Sequence, residues 1–434
     1  MNKVIASAGL LALGAVGVQT VQAQWTAGSD KSWSVSATLR GFYDDNYNTQ
    51  PGGTNRHGSF GFEVRPSLKW DVDLGPTTVD LSYVYAMKYY DARPNNKYDQ
   101  DHDFEVFLNH NFNNRYSIDF SDSFVIDQEP EIIDPTLSTP TRSNGDNIRN
   151  NASINFHAEL TPLLGMVLGY ANTFYSYDQN QNSSGVILPS LSALLDRIEH
   201  RVNLDSQWHI WEETTGIFGY SFGAVDYTSS ESISSFPFPF PFAVASSSRN
   251  KYSHTVYVGA NHNFSPDLTV SARGGVEYDD YYNSLPNNSK NNTIPFASLS
   301  VNYAYMDGGS VALGFNHSSN PTDQGATVSG TNVLLTLDQQ SSSLFGTITQ
   351  RLTPLSPDLT ATLSGQYQNS TFNGGAPGVN NQSDNIYLFG LNLSYQFTRY
   401  ISGEVGYNYD LLSSDLSGRG YHRNRVYAGV SASY

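Results

Sequence analysis

Apolar and polar side chains alternate one by one through most of the chain. The final stretch shows this most clearly, with two interleaved rows: Val426, Ala428, Val430, Ala432 and Tyr434 against Arg425, Tyr427, Gly429, Ser431 and Ser433. Because side chains point alternately to the two faces of a β-strand, one face of this segment is apolar and the other is polar. Residues 33–43 and 60–72 have the same pattern. The alternation predicts an all-β structure.

The polar row of the second segment is almost wholly charged. Glu63, Arg65, Lys69 and Asp71 alternate with large apolar side chains. A soluble sandwich would have to solvate this row and would leave an unusually long apolar row on its other face. A barrel in a membrane accommodates both rows, because lipid covers its outside and water fills its inside.

The connections between the alternating segments are short and long in turn. The short ones, rich in Gly, Pro, Asn and Asp, lie at residues 73–76, 113–114, 161–163, 212–214, 265–267, 307–309, 353–358 and 398–399. The long ones lie near residues 44–58, 91–101, 127–146, 178–196, 228–250, 280–292, 318–330, 370–384 and 411–422. Short turns at one end and long loops at the other are typical of outer-membrane barrels. We predict a transmembrane antiparallel up-and-down β-barrel of about 18 strands, closed by pairing residues 33–43 with residues 425–434.

The two ends of the chain predict its location. Residues 1–23 have a positive start, a short apolar run and a small-residue cleavage site, which together indicate a secretory signal peptide. Residues 24–434 are then a single transmembrane barrel domain. Tyr434 ends the last strand on an aromatic ring, which resembles the signal that the barrel assembly machinery reads. We expect the protein in the bacterial outer membrane.

Composition excludes several classes of function. The chain has 40 acidic residues against 23 Lys and Arg, so we expect no nucleic acid partner. It has no cysteine, which excludes disulfides and thiolate metal ligands, and its 10 histidines follow no metal-binding spacing. We therefore predict neither a metal nor a cofactor. The 29 Tyr and 23 Phe, many of them where strands enter long loops, suit the aromatic girdles of a barrel.

No enzyme motif is found, and we predict that the protein is not an enzyme. The alternative is a barrel lipase with a Ser–His nucleophile on the lipid face, because several histidines fall in the outward phase: His110, His200, His254, His262 and His317. The cluster at residues 101–103 is interpreted as a solvated rim and not as a metal site.

Four segments resemble those of a family of outer-membrane β-barrel porins from Gram-negative bacteria. They are residues 41–46, 59–66, 145–150 and 195–200. The resemblance extends over the chain after the signal peptide. It implies the fold and the location, and it provides no catalytic residues.

The charges on the polar faces predict a wet lumen, because a sealed core could not bury so many ions. In porins of similar architecture, the third loop enters the lumen and its acidic residues face a basic wall. The corresponding constriction candidates are Asp127, Glu129, Glu131 and Asp134 opposite Arg40, Arg65, Arg149 and Arg197. Three alternatives stay open: a solvated third loop, a short inserted helix within residues 186–195, and a Phe-Pro rod at residues 236–242 that plugs the pore or contacts a neighbouring subunit.

The leading hypothesis is a porin-like channel for passive diffusion of small hydrophilic solutes. The alternatives are a closed structural or surface-binding barrel and a pore for exopolysaccharide export. Expected partners are outer-membrane lipid and lipopolysaccharide, the barrel assembly machinery and small hydrophilic solutes. The sequence leaves open whether the protein is a homo-oligomer.

Overall fold

The computed structural model describes residues 32–51, 56–127, 146–178, 189–234, 243–329 and 332–434. The predicted signal peptide, three of the four acidic constriction candidates (Glu129, Glu131 and Asp134) and the Phe-Pro rod lie outside these residues. Within them, no helix has the length and apolar character that crossing a membrane requires.

The described residues form strands almost throughout. In chain order the strands are β1 (Trp33–Asp44), β2 (Ser59–Asp73), β3 (Thr77–Tyr90), β4 (Tyr98–Asn111), β5 (Tyr116–Asp127), β6 (Asn147–Thr161), β7 (Leu164–Tyr177), β8 (Arg197–Trp211), β9 (Thr214–Tyr227), β10 (Lys251–Ser265), β11 (Leu268–Asp280), β12 (Asn291–Met306), β13 (Gly309–Asn320), β14 (Ala326–Ser329), β15 (Asn332–Arg351), β16 (Leu359–Gly374), β17 (Ser383–Thr398), β18 (Ile401–Ser414) and β19 (Tyr421–Ser433). A short α-helix, α1 (Leu191–Leu195), precedes β8, and a 3₁₀ turn (Ser246–Arg249) precedes β10.

Each strand pairs antiparallel with its neighbours in sequence, and the first pairs with the last. The β1–β19 register runs from Ser36 opposite Ser433 to Asp44 opposite Arg425. The exception is β14, which pairs with the start of β15 in a small separate sheet and forms one parallel bridge with Ser234, while β13 pairs directly with β15. The remaining strands close an 18-stranded barrel. The predicted fold class and closing pair are confirmed, and β14 is a hairpin strand within a connection predicted as a loop.

The eight short turns lie at one end of the barrel and the long connections at the other, as predicted. Local chemistry explains the tight turns. The Asp73 carboxylate accepts a hydrogen bond from the backbone N–H of Gly75 at 2.8 Å, and Gly75 has a φ of +82°, which glycine adopts without strain. The hydroxyl of Thr161 accepts from the backbone N–H of Leu164 at 3.0 Å in the β6–β7 turn.

The apolar rows face outward and the polar rows face the lumen. Leu39 and Val430 are 59% and 52% exposed on the outside, where lipid would cover them. On the inside, aromatic rings pack over glycines of adjacent strands. A Cβ at Gly314 would lie 2.2 Å from the Phe345 ring, so the ring fits only because the glycine has no side chain.

Candidate functional site

On three strands, a lumen-facing charge near the long loops is more buried than one nearer the short turns. Each has a buried charge near the loops and an exposed charge nearer the short turns: Glu63 and Lys69 in β2, Asp99 and Glu105 in β4, and Arg197 and Arg201 in β8. The buried members are 8%, 3% and 1% exposed, respectively. We call the half next to the long loops the outer lumen and the half next to the short turns the inner lumen. On β2 and β4 the outer lumen is packed and the inner lumen is accessible to water, whereas on β8 and β11 the inner lumen also holds buried charges, Asp205 and Arg273.

A buried carboxylate holds the closing strands together in the outer lumen. Asp44 is fully buried, and it lies 2.6 Å from the Arg423 guanidinium and 3.0 Å from that of Arg425. The β1–β19 register places Asp44 opposite Arg425, so the pair forms as the barrel closes. A buried carboxylate is tolerated only when it is paired, and two arginines meet this requirement.

Arg40, a predicted wall residue, is bound on both sides by carboxylates. Its Nη1 lies 3.2 Å from Glu63, its Nε lies 2.5 Å from Glu404, and the guanidinium lies 5.0 Å from the Tyr427 ring centroid. The charge of Arg40 is therefore neutralised by its neighbours on β2 and β18.

Arg65 and Arg149 face the lumen on either side of Asp103, and both lie within electrostatic range of its carboxylate. Asp103 keeps one buried carboxylate oxygen, Oδ1, without a hydrogen bond. Both arginines are half-buried. The structure thus brings together two of the four predicted basic wall residues around one carboxylate.

Arg197 is enclosed. It donates to the Leu195 carbonyl at 2.8 Å and to Glu199 at 2.7 Å, and its guanidinium lies 4.0 Å from the Tyr175 ring centroid. These contacts place it beneath α1, apart from the accessible lumen. Asp127, the described member of the acidic set, is buried at the end of β5, two residues beyond the partner of Arg149 in the register.

Three connections form a cap in the outer lumen. The loop cap consists of α1, the described part of the β9–β10 connection and the β13–β15 connection including β14. Its apolar core contains residues from the connections and from the barrel wall: Tyr175, Tyr177, Ala193, Leu194, Leu195, Ile233, Val244, Tyr281, Ala326, Leu335 and Leu337. The helix lies at the end of the range predicted to hold an inserted helix, and it begins where the Ser190 hydroxyl accepts from the Ala193 N–H at 2.9 Å.

Arg249 joins the parts of the loop cap, and sequence reasoning missed it. The side chain is 1% exposed and donates to the carbonyls of Thr322 at 2.8 Å, Gln324 at 3.3 Å and Leu194. The guanidinium also lies 4.4 Å from the Tyr227 ring centroid. Burial lowers the pKa of Arg249. A guanidinium has five N–H donors, which lets one side chain bond carbonyls of separate connections. An arginine within a serine-rich loop gives no sequence signal for this role.

A second arginine ties the cap to the far wall. Arg419, in the β18–β19 connection, lies 2.7 Å from Asp323 of the cap and 2.7 Å from Asp384 of β17. Although burial acts to lower the pKa of Arg419, the two carboxylates outweigh it and raise that pKa.

The wall formed by β15 and β16 carries hydroxyl and amide groups at mid-height instead of charges. Ser341 and Ser370 share a hydrogen bond of 2.9 Å, and the Gln368 amide donates to the Ser370 hydroxyl at 3.0 Å. The wall on β8 to β11 is charged, with the Asp205 carboxylate accepting from the Tyr257 hydroxyl at 2.5 Å. The exposed Arg201 lies on this charged wall.

The geometry does not support the lipase alternative. The Ser342 hydroxyl lies 2.8 Å from Nδ1 of His317, while Nε2 of His317 is buried and has no hydrogen-bond partner. A Ser–His nucleophile needs a further group that orients the imidazole through its other nitrogen. In the described part of the chain, no three or more His, Asp or Glu side chains are grouped so that they could hold a metal ion.

Comparisons with known proteins give one family match and many distant structures. Solved structures similar in arrangement include Pseudomonas aeruginosa OccK2 (OpdF) in complex with glucuronate, with 10% identity, a TM-score of 0.45, and coverage of 92% of this chain and 98% of that one. Another is Acinetobacter baumannii OccAB4, with 12% identity, a TM-score of 0.44, and coverage of 93% and 99%. No curated protein matches the chain. Residues 322–434 match the family described as "Putative beta-barrel porin 2", which confirms the resemblance to β-barrel porins for β14 to β19.

Proposed function

We propose that this protein is a porin-like channel of the bacterial outer membrane that passes small hydrophilic solutes by passive diffusion. The observation that carries the proposal is a closed barrel with an apolar exterior and an inner lumen lined by exposed charges, among them Lys69 and Glu105. Charged side chains persist inside a barrel when water reaches them, and a barrel of this width is large enough for an aqueous channel. The porin family match supports a channel over an enzyme.

In this proposal solutes are selected in the outer lumen, because the packed side chains and connections narrow the barrel there. The third long connection, between β5 and β6, provides Asp127, Glu129, Glu131 and Asp134 and forms the acidic side of a constriction. Arg65 and Arg149 form its basic side, since both are half-buried and face the lumen beside Asp103. Arg40 contributes less, because two carboxylates already neutralise it. Arg197 supports the loop cap.

The loop cap also favours a second candidate, a barrel closed at its outer end that serves as a structural or surface-binding protein. Buried arginines joining separate connections, as Arg249 and Arg419 do, suit a permanently closed outer lumen. Oligomerisation and recognition by the barrel assembly machinery are further parts of the proposal, to be tested separately.

Planar-bilayer recording of the refolded protein separates the two candidates. A channel gives stepwise currents whose size increases with salt concentration. A closed barrel gives a folded, heat-modifiable band on gels and no current. A folded protein without current therefore contradicts the channel proposal.

A further inference from the structure

Three tyrosine–histidine pairs repeat on the outer face of the barrel. The hydroxyls of Tyr83, Tyr170 and Tyr220 lie 2.9, 2.9 and 2.8 Å from Nδ1 of His102, His200 and His254, respectively. The ring centroids of each pair are 6.2 Å apart. The three tyrosines are 37%, 41% and 39% exposed. The same contact is therefore built three times, on β3–β4, β7–β8 and β9–β10.

The register makes the three pairs equivalent. Each histidine stands opposite the residue two places after the tyrosine: His102 opposite Tyr85, His200 opposite Asn172, and His254 opposite Phe222. Each tyrosine thus reaches its histidine along the diagonal between neighbouring strands, within the range of aromatic side chains.

Two of the pairs have a second contact near the short turns. The hydroxyl of Thr77 lies 2.7 Å from Nδ1 of His110, and that of Thr214 lies 2.7 Å from Nδ1 of His262. We call these two the lower contacts and the tyrosine–histidine pairs the upper pairs. His110 and His262 follow the histidines of their upper pairs, His102 and His254, by eight residues. Both lie in the sequence Asn-His-Asn-Phe, at residues 109–112 and 261–264. In the third pair, the residue eight places after His200 is Trp208, and it stands opposite Leu164.

This spacing sets the depth of the upper pairs in the membrane. Eight strand residues tilted by 35–45° rise about 20 Å along the membrane normal. The apolar band of an outer-membrane barrel is about 25 Å tall. The lower contacts adjoin the short turns on the periplasmic side, so the upper pairs lie near the outer border, at the level of lipid headgroups.

The hydrogen bonds determine which histidine nitrogen carries the proton. At His200, the Asn172 amide nitrogen lies 3.2 Å from Nδ1 and also donates to the Glu199 carbonyl at 3.1 Å, which identifies it as a nitrogen. An amide nitrogen only donates, so Nδ1 is an acceptor and the proton is on Nε2. We assign the same tautomer to His102 and His254, with the tyrosine hydroxyl as donor.

We propose that the Nε2–H groups of His102, His200 and His254 bind phosphate groups of outer-leaflet lipids. An N–H donor held at headgroup depth suits an anionic oxygen, and hydrogen bonds to charged groups are the stronger kind. Two of the three sites are on adjacent strand pairs, where the Phe222 ring lies 5.3 Å from His254 and 5.8 Å from Tyr252. These rings offer an apolar surface to the acyl chains beside the phosphate sites.

The test measures binding of lipid A to the refolded full-length barrel in neutral detergent, using lipid A with and without its phosphates. The triple variant His102→Phe, His200→Phe and His254→Phe keeps a ring at each site and removes the donor. We expect a roughly tenfold loss of affinity for phosphorylated lipid A at each site and no change for the dephosphorylated form. The matched control, His110→Phe with His262→Phe, changes the same chemistry at the periplasmic border and should stay within about twofold of wild type.

Equal affinities of the triple variant and the control would overturn the proposal. Full displacement of lipid A by millimolar inorganic phosphate would also overturn it, because the sites would then take free phosphate. Should the triple variant fail to fold, Tyr83→Phe, Tyr170→Phe and Tyr220→Phe together test the same idea. They remove the hydroxyl donor at all three sites and release the tautomer of His102 and His254, while the Asn172 amide still fixes that of His200. Binding should weaken roughly threefold, whereas unchanged binding would contradict the assignment.

Discussion

The part of the lumen beneath the loop cap and the part beyond it are built from the same strands but differ in what their charges do. In β8, Arg197 is 1% exposed and bonds Glu199 and a carbonyl of α1, whereas Arg201, on the same face, is exposed. The alternation pattern assigns both to the lumen and cannot distinguish them. The difference teaches that a lumen-facing charge becomes structural where loops fold over it and contacts solute only where water reaches it.

The largest expected effect tests the barrel that contains both halves. Tyr434 packs between Trp33 and Tyr400, with ring centroids 5.9 and 6.2 Å away, at the seam between first and last strands. We expect deletion of Tyr434 to remove most folded barrel from the outer membrane while transfer across the inner membrane continues. Heat-modifiable protein in outer-membrane fractions is the readout. Normal amounts would show that the terminal aromatic residue carries no assembly signal.

The next prediction concerns the stability of the loop cap. Arg249→Met leaves carbonyls of separate connections without their buried donor, which should destabilise the loop cap by about 3 kcal/mol. Faster limited proteolysis of the cap and a larger conductance are the expected results. Arg201→Met is the matched control, and its exposed site predicts a stability change within about 0.5 kcal/mol. Equal protease resistance of the two variants would place the cap's stability elsewhere.

The Arg40 site tests whether a buried and an exposed lumen charge differ in their contribution to stability. Glu404→Gln removes one of the two carboxylates that hold Arg40, and we expect it to lower the free energy of unfolding by about 2 kcal/mol. Lys69→Gln, in the inner lumen, should change it by less than about 0.5 kcal/mol. Urea unfolding of the refolded barrels measures both. Similar losses would mean that burial does not separate the two sites.

Ion selectivity tests the proposed constriction. We expect the ion selectivity to shift toward anions in the variant that combines Asp127→Asn, Glu129→Gln, Glu131→Gln and Asp134→Asn, because charges in confined water are weakly screened. Reversal potentials under a salt gradient measure this shift. The control neutralises the same number of exposed acids in the periplasmic turns: Glu212, Glu213, Asp267 and Asp358. Equal shifts for both sets would place the constriction outside the third connection.

The smallest effect concerns the accessible arginine. Arg201→Gln should shift selectivity slightly toward cations without changing stability, because water screens this charge and no cap contact is lost. Reversal potentials under a salt gradient detect the shift. No shift would mean that solutes do not pass along the β8 wall.

The strands, turns and closing pair could be predicted because their signals are local. Alternation fixes which face of each strand is apolar, and Gly75 beside Asp73 or Thr161 before Leu164 forms a turn from neighbouring residues. Four of the paired histidines, His110, His200, His254 and His262, were also predicted to face outward by phase, whereas His102 was interpreted as part of a solvated rim. Their pairing with tyrosines or threonines follows from the register between strands, which alternation alone does not give.

The loop cap could not be predicted, because it depends on contacts between residues distant in sequence. Arg249 bonds Leu194 and Thr322, and nothing near any of the three residues indicates the others. The same reason hid β14, which pairs within a connection that reads as a polar loop. Local composition therefore locates the connections, and only long-range packing shows which of them close the outer lumen.

Thiol labelling tests the difference between the two halves most directly, because the chain has no cysteine. Single cysteines at Ser341 and Thr349 place one thiol in each half on the same face of β15, where Ser341 is 3% exposed. We predict that Thr349→Cys reacts with a small water-soluble thiol reagent and reduces the current. Ser341→Cys should react at least roughly tenfold more slowly, and Arg249→Met should abolish that protection. Equal labelling rates in the otherwise wild-type barrel would contradict a packed outer lumen above an open inner one.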